Sequence, residues 1–115
     1  MVPDEAVAYL HDIAKACRLI EEFVAGKTYG EYLESPLLRS AVERQFEIIG
    51  EALNQTLRVH PEAETRVTHA RRIVSFRNRL IHGYASVADE VVWGVVDGYL
   101  PRLKSEVEAL LAESG

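Results

Sequence analysis

Three side chains in one short stretch have the types and spacing to do chemistry together. Arg77 carries a guanidinium that stays charged at physiological pH and matches a phosphate with paired N–H donors. His82, five positions on, carries an imidazole, a side chain that can either take or give a proton. Tyr84, two residues further and across Gly83, adds a phenolic hydroxyl. Such a set suits RNA cleavage without a metal. The histidine takes a proton from a ribose 2′-hydroxyl or gives one to the departing oxygen, and the arginine holds the phosphate and stabilises transition-state charge. Each residue also has a plain structural use. His82 can cap the carbonyls at its helix end, Arg77 can pair with Glu47 or Glu51, and Tyr84 can be a core aromatic with a wet hydroxyl.

The spacing constrains how the set works. On a regular helix, five positions at about 100° each put Arg77 and His82 about 140° apart around the axis. Either the helix loosens at Gly83 and lets His82 turn, or a second copy of the chain completes the site. Asn78 lies four residues before His82 and Arg79 three before it, so both can interact with it locally.

Charge is distributed unevenly around these residues. The chain of 115 residues has a net charge of −5, which argues against a nucleic-acid binder overall. Between Glu64 and Asp89, however, lie Arg66, Arg71, Arg72, Arg77 and Arg79 and no acid, a local +5 that leaves −10 for the rest. A basic surface for a polyanion is one outcome, with Arg71, Arg72, Asn78 and Arg79 as its contacts. Pairing of these arginines with glutamates on neighbouring helices is the other.

Four helices must position the set, and no strand pattern competes with them. The first is expected from about Asp4 to Ala25, with Ala6, Leu10, Ile13, Cys17, Ile20 and Val24 on its inner face and Gly26 as its stop. Thr28 to Glu31 has capping-box spacing for a short turn that folds Tyr29, Tyr32 and Leu33 onto the core. Ser35-Pro36 starts the second helix, which runs to His60 before Pro61. Gly50 inside it costs about 1 kcal/mol against alanine, and close approach of another helix explains it. The third helix is expected from Thr65 or Thr68 to about His82, with Gly83 capping it. The fourth runs from Asp89 almost to the end, kinked or split at Pro101. Short connections imply an all-α antiparallel bundle of four main helices in one domain spanning residues 1–115.

Composition limits the other readings. Hydrophobic residues make up 48% and charged residues 27%, so the chain has the material for a core and is not of the disordered class. The lone cysteine, Cys17, falls on an apolar stripe and is expected to be a buried thiol; a reducing cytoplasm is the expected location. No zinc-ligand spacing, membrane span or signal peptide is read from the sequence, and neither metal nor cofactor is expected.

At Arg77, His82 and Tyr84 the chain resembles HEPN-domain proteins of the HepT-like group, whose pattern is Arg-x4-His-x-Tyr. The segment Glu43 to Leu53 resembles that group's second helix, and Val92-Trp93-Gly94-Val95-Val96 with Leu100-Pro101-Arg102-Leu103 resembles its last. Where many relatives carry a tryptophan near the start of the third helix, this chain has Val67-Thr68-His69, a departure expected to affect packing and not chemistry. The resemblance implies an all-helical homodimer with a composite site, acting as a metal-independent endoribonuclease toxin on RNA. It assigns Arg77 and His82 to catalysis. It further implies a minimal nucleotidyltransferase antitoxin as partner, which silences the toxin by transferring AMP to Tyr84. The alternative is a non-catalytic helical subunit that docks on a nucleotidyltransferase. Growth arrest on induction of this chain alone separates the two.

Overall fold

The structure, a computed structural model, describes residues 1–82 and 87–114. Among these residues every regular element is a helix: α1 (Asp4–Val24), α2 (Tyr29–Glu34), α3 (Pro36–Val59), a 3₁₀ turn (Pro61–Thr65), α4 (Ala70–His82), α5 (Asp89–Gly98) and α6 (Leu100–Ser114). The all-α expectation holds. Helices α1 and α3 form the central pair; α4 packs on α3 and α6 on α1. The two extra helices have local causes. Thr28 and Glu31 form the reciprocal capping box that opens α2, and the last helix breaks at Tyr99 so that Pro101 falls in the first turn of α6.

The helix boundaries follow the expected signals. Gly26 takes φ +72° just after α1, and Ser35 Oγ accepts the Leu38 N–H at the start of α3. The inner face of α1 is the one read from the periodicity, with Leu10, Ile13 and Ile20 buried, and Ile49, Leu53, Leu103 and Val107 are buried with them. Tyr32 folds α2 onto the core against Trp93, with ring centroids 5.2 Å apart. Leu33, expected to join it, stays on the surface. Cys17 is fully buried, and burial pushes its thiol up to about 12, so it is not a nucleophile at neutral pH.

One boundary differs. Helix α4 begins at Ala70 and not at Thr65 or Thr68, because the intervening residues are held in another conformation. Residues 61–65 form the 3₁₀ turn. Glu106 of α6 then accepts both the Thr68 N–H, at 2.9 Å, and the Thr68 hydroxyl, at 2.7 Å. His69 turns into the left-handed region at φ +58° before the chain enters α4.

What fixes α4 on α3 is an edge-to-face pair, Phe46 against Phe76, with centroids 5.4 Å apart. Replacing Phe46 with alanine is expected to cost about 3–5 kcal/mol. Urea unfolding measures this, and a loss below about 1 kcal/mol would mean that the pair does not anchor α4.

Candidate active site around helix α4

Helix α4 has three sides. Ala70, Ile73 and Phe76 are buried and hold it to the core. Arg71, Ser75, Asn78 and His82, at spacings of four, three and four, form an exposed crest. Between these sides lie two grooves. One, toward α1 and α3, has a volume of about 450 Å³ and is lined by Tyr9, Asp12, Arg44, Glu47, Glu51 and Arg77 among others. The other, toward the α5–α6 junction, has a volume of about 500 Å³ and takes in Arg72, Arg79, Phe76 and Tyr99.

The proposed catalytic arginine is placed by a contact between helix backbones. At Gly50 of α3 an added Cβ would lie 2.1 Å from Arg77 Cβ and 2.6 Å from Arg77 Cγ, with the Ile73 carbonyl oxygen at 3.3 Å. The close approach expected at Gly50 is therefore real, and the approaching residue is Arg77 itself. From there the guanidinium is held twice: Nη2 lies 2.7 Å from Glu51 Oε2, and Nη1 donates to Asn78 Oδ1 at 2.8 Å. Arg77 Nε is buried and has no hydrogen-bond partner among the described residues. The Glu51 pair is half-exposed, so it orients the guanidinium more than it stabilises the fold.

The structure keeps Arg77 and His82 apart. Helix α4 remains regular through His82, so the two stay about 140° apart around its axis. Arg77 faces α3, and His82 is exposed on the crest beside Asn78. Tyr84, like the expected cap Gly83, lies outside the described residues. The five arginines of the acid-free segment divide. Arg66 pairs with Glu113, Arg71 with Glu64 at 2.9 Å, and Arg77 with Glu51. Arg72 and Arg79 are exposed and have no ion-pair partner among the described residues. Pairing with neighbouring glutamates thus accounts for three of the five, and the local positive surface is smaller than the formal count.

Glu51 was legible only as a possible structural partner of Arg77. Its place directly after Gly50, the one helix-interior glycine that a close approach had to explain, is the signal that points to it. Among the described residues, no helix is long and apolar enough to cross a membrane.

An all-helical chain that presents a held arginine and an exposed histidine on one basic helix has the parts of a phosphodiester-cleaving protein. Comparison with known proteins gives the class. The family described as Ribonuclease HepT-like matches residues 13–110, and the chain belongs to that family of ribonucleases. It is 39% identical over 106 residues to a protein named probable ribonuclease HepT from Thermococcus cleftensis, covering 89% of this chain and 92% of that one. A protein provisionally named an RNase from Caldanaerobacter subterraneus subsp. tengcongensis is 30% identical over 103 residues, covering 90% and 91%. Another so named, from Methanocaldococcus jannaschii, is 34% identical over 101 residues, covering 88% and 92%. No solved structure matches it significantly.

The Gly50 contact yields a prediction whose sign opposes helix propensity. Alanine should favour α3 by about 1 kcal/mol on propensity alone. Because its Cβ has no room against Arg77, Gly50→Ala is instead expected to destabilise the protein by about 1–3 kcal/mol and to lower cleavage by displacing the guanidinium. A variant as stable and as active as the parent would show that α3 and α4 are not held at this distance.

Proposed function

We propose that this ribonuclease is the endoribonuclease toxin of a toxin–antitoxin pair. It cleaves RNA without a metal at a cleft shared by two copies of the chain, and a nucleotidyltransferase antitoxin silences it by AMP transfer to Tyr84. The observation that carries the shared cleft is the regularity of α4 through His82. One copy holds Arg77 in a groove and His82 on the crest, and a second copy laid across the crest supplies the missing partner to each site. In that cleft Arg77 binds the scissile phosphate in place of, or alongside, Glu51. His82 acts as general acid or base, and Asn78 keeps the guanidinium aimed. Arg72 and Arg79, with Arg71 where it releases Glu64, hold the flanking RNA backbone.

A second reading has one observation in its favour. The Arg77–Glu51 pair is what a structural arginine would make, and it suits a non-catalytic helical subunit docked on a nucleotidyltransferase. Induction of the chain alone decides between them: growth arrest supports the toxin, and unimpaired growth the docking subunit.

His82→Ala is expected to lower RNA cleavage at least 100-fold while leaving the chain folded and dimeric. Cleavage that persists would remove His82 from the mechanism. The shared cleft is tested by mixing. Arg77→Ala and His82→Ala variants, each inactive alone, should regain part of the activity when their subunits are exchanged. No recovery in a verified heterodimer, or a monomer by light scattering at micromolar concentration, would rule out a composite site. Cleavage should also survive EDTA.

Silencing has its own measurement. The Tyr84 hydroxyl oxygen attacks the α-phosphorus of ATP, its proton is lost to solvent or a base, and pyrophosphate leaves. The AMP then sets negative charge where RNA phosphates must bind. Wild type incubated with the antitoxin and ATP should gain the mass of one or more AMP groups and lose activity. Tyr84→Phe should gain none and keep cleaving. A mass gain on Tyr84→Phe would move the modification to another residue.

A further inference from the structure

We propose that the groove between α4 and the α5–α6 junction is a nucleobase subsite, in which His69 and Tyr99 wall a single RNA base while Arg72 and Arg79 hold the phosphates on either side. This rests on the RNA-binding part of the function proposed above and adds a place where sequence preference can arise.

The first observation is the backbone at His69. It is the non-glycine residue at positive φ among the described residues, at +58°, a region that L side chains enter at a cost. The conformation is held from several sides. Its carbonyl accepts the N–H groups of Arg72 and Ile73. The preceding residue, Thr68, is gripped by Glu106 through both its N–H and its hydroxyl, and its carbonyl accepts the Tyr99 hydroxyl at 2.5 Å. Burial pushes the Tyr99 hydroxyl up, so it stays a donor. The result is an exposed imidazole 6.3 Å from the Tyr99 ring, tilted 40° to it, at the rim of the groove.

The second observation is the lining. The groove holds about 500 Å³, in the range of small-ligand pockets. Ile73, Phe76 and Val95 give it an apolar floor. Among the described residues, the charged side chains lining it are arginines and no carboxylate lines it, on a chain whose net charge is −5. Arg72 and Arg79 stand two helical turns apart, about 10 Å along α4, and neither has an ion-pair partner among the described residues. An aromatic wall flanked by unpaired guanidinium groups is the arrangement that binds single-stranded nucleic acid: bases stack on the rings, arginines take phosphates and add cation–π attraction. An apolar helix from a protein partner would use the floor and leave the arginines without counter-charge.

The test uses a short 2′-O-methyl oligoribonucleotide, which lacks the attacking hydroxyl and is not cleaved, and the same strand with one abasic position. Anisotropy at low salt should show wild type binding the intact strand about tenfold tighter than the abasic one, the discrimination expected of one stacked base. His69→Gly relieves the left-handed backbone, so its melting temperature should equal or exceed that of wild type. It should nevertheless bind both strands alike. His69→Asn, which also tolerates this region, should lose the same discrimination. Variants that still distinguish the strands as wild type does would overturn the subsite. So would a wild type that fails to distinguish them, or a His69→Gly chain that changes from dimer to monomer, which would make the groove a contact between copies. The two proposals fail separately. A wild type that discriminates the strands but never cleaves RNA sinks the nuclease mechanism alone, and one that cleaves without discriminating sinks the subsite alone.

Discussion

The site depends on how closely α3 and α4 approach at Gly50. With no side chain at that position, the Cβ and Cγ of Arg77 occupy the space a Cβ would need. The stem of the arginine is thereby fixed by packing of helix on helix. A guanidinium on a free stem would lose about 2 kcal/mol of rotamer entropy when it binds; here much of that loss occurs on folding. Phe46, one turn before Gly50 on α3, and Phe76, the residue before Arg77 on α4, lock the same interface from the buried side. Glu51 and Asn78 then set the direction of the charged end. Preorganisation of this kind is what makes an electrostatic contact useful in a transition state.

Electrostatics around α4 follow from which arginines are already engaged. The formal +5 of the segment is partly cancelled where Arg66 and Arg71 meet Glu113 and Glu64 on the outside of the fold. The remaining positive charge is focused on Arg72 and Arg79, in a groove that no carboxylate lines among the described residues. Arg77 lies in a different setting, among Asp12, Glu47 and Glu51. A phosphate approaching it must compete with a carboxylate. Productive binding therefore needs the additional attraction of the crest and of the other groove. That favours a long polyanion over a free nucleotide.

Much of this was legible in the sequence, for identifiable reasons. The helices were, because apolar residues recur at helical spacing and because Thr28, Ser35, Gly26 and Pro101 punctuate them in ways that depend only on local chemistry. The strain at Gly50 was legible as a close approach. Its partner was not, since residues 50 and 77 meet only through the crossing of two helices. The start of α4 was misjudged because Thr65 and Thr68 both look like caps, and the choice against them is made by Glu106 and Tyr99, more than thirty residues away. The left-handed backbone at His69 was not legible, since no local pattern announces it for a histidine. The 140° separation of Arg77 and His82 was legible, because it needs nothing beyond the pitch of a helix.

The break in the last helix links these features. Pro101 lacks the N–H that would continue the α5 ladder, and the chain restarts with Leu100 as the first residue of α6. At that junction Tyr99 is half-buried and donates its hydroxyl to the Thr68 carbonyl, while Glu106, further along α6, holds the Thr68 N–H. The two contacts fix the turn that puts His69 at positive φ and launches α4. The proline that splits one helix thus helps to set where another begins, and with it the direction in which the crest carrying His82 faces.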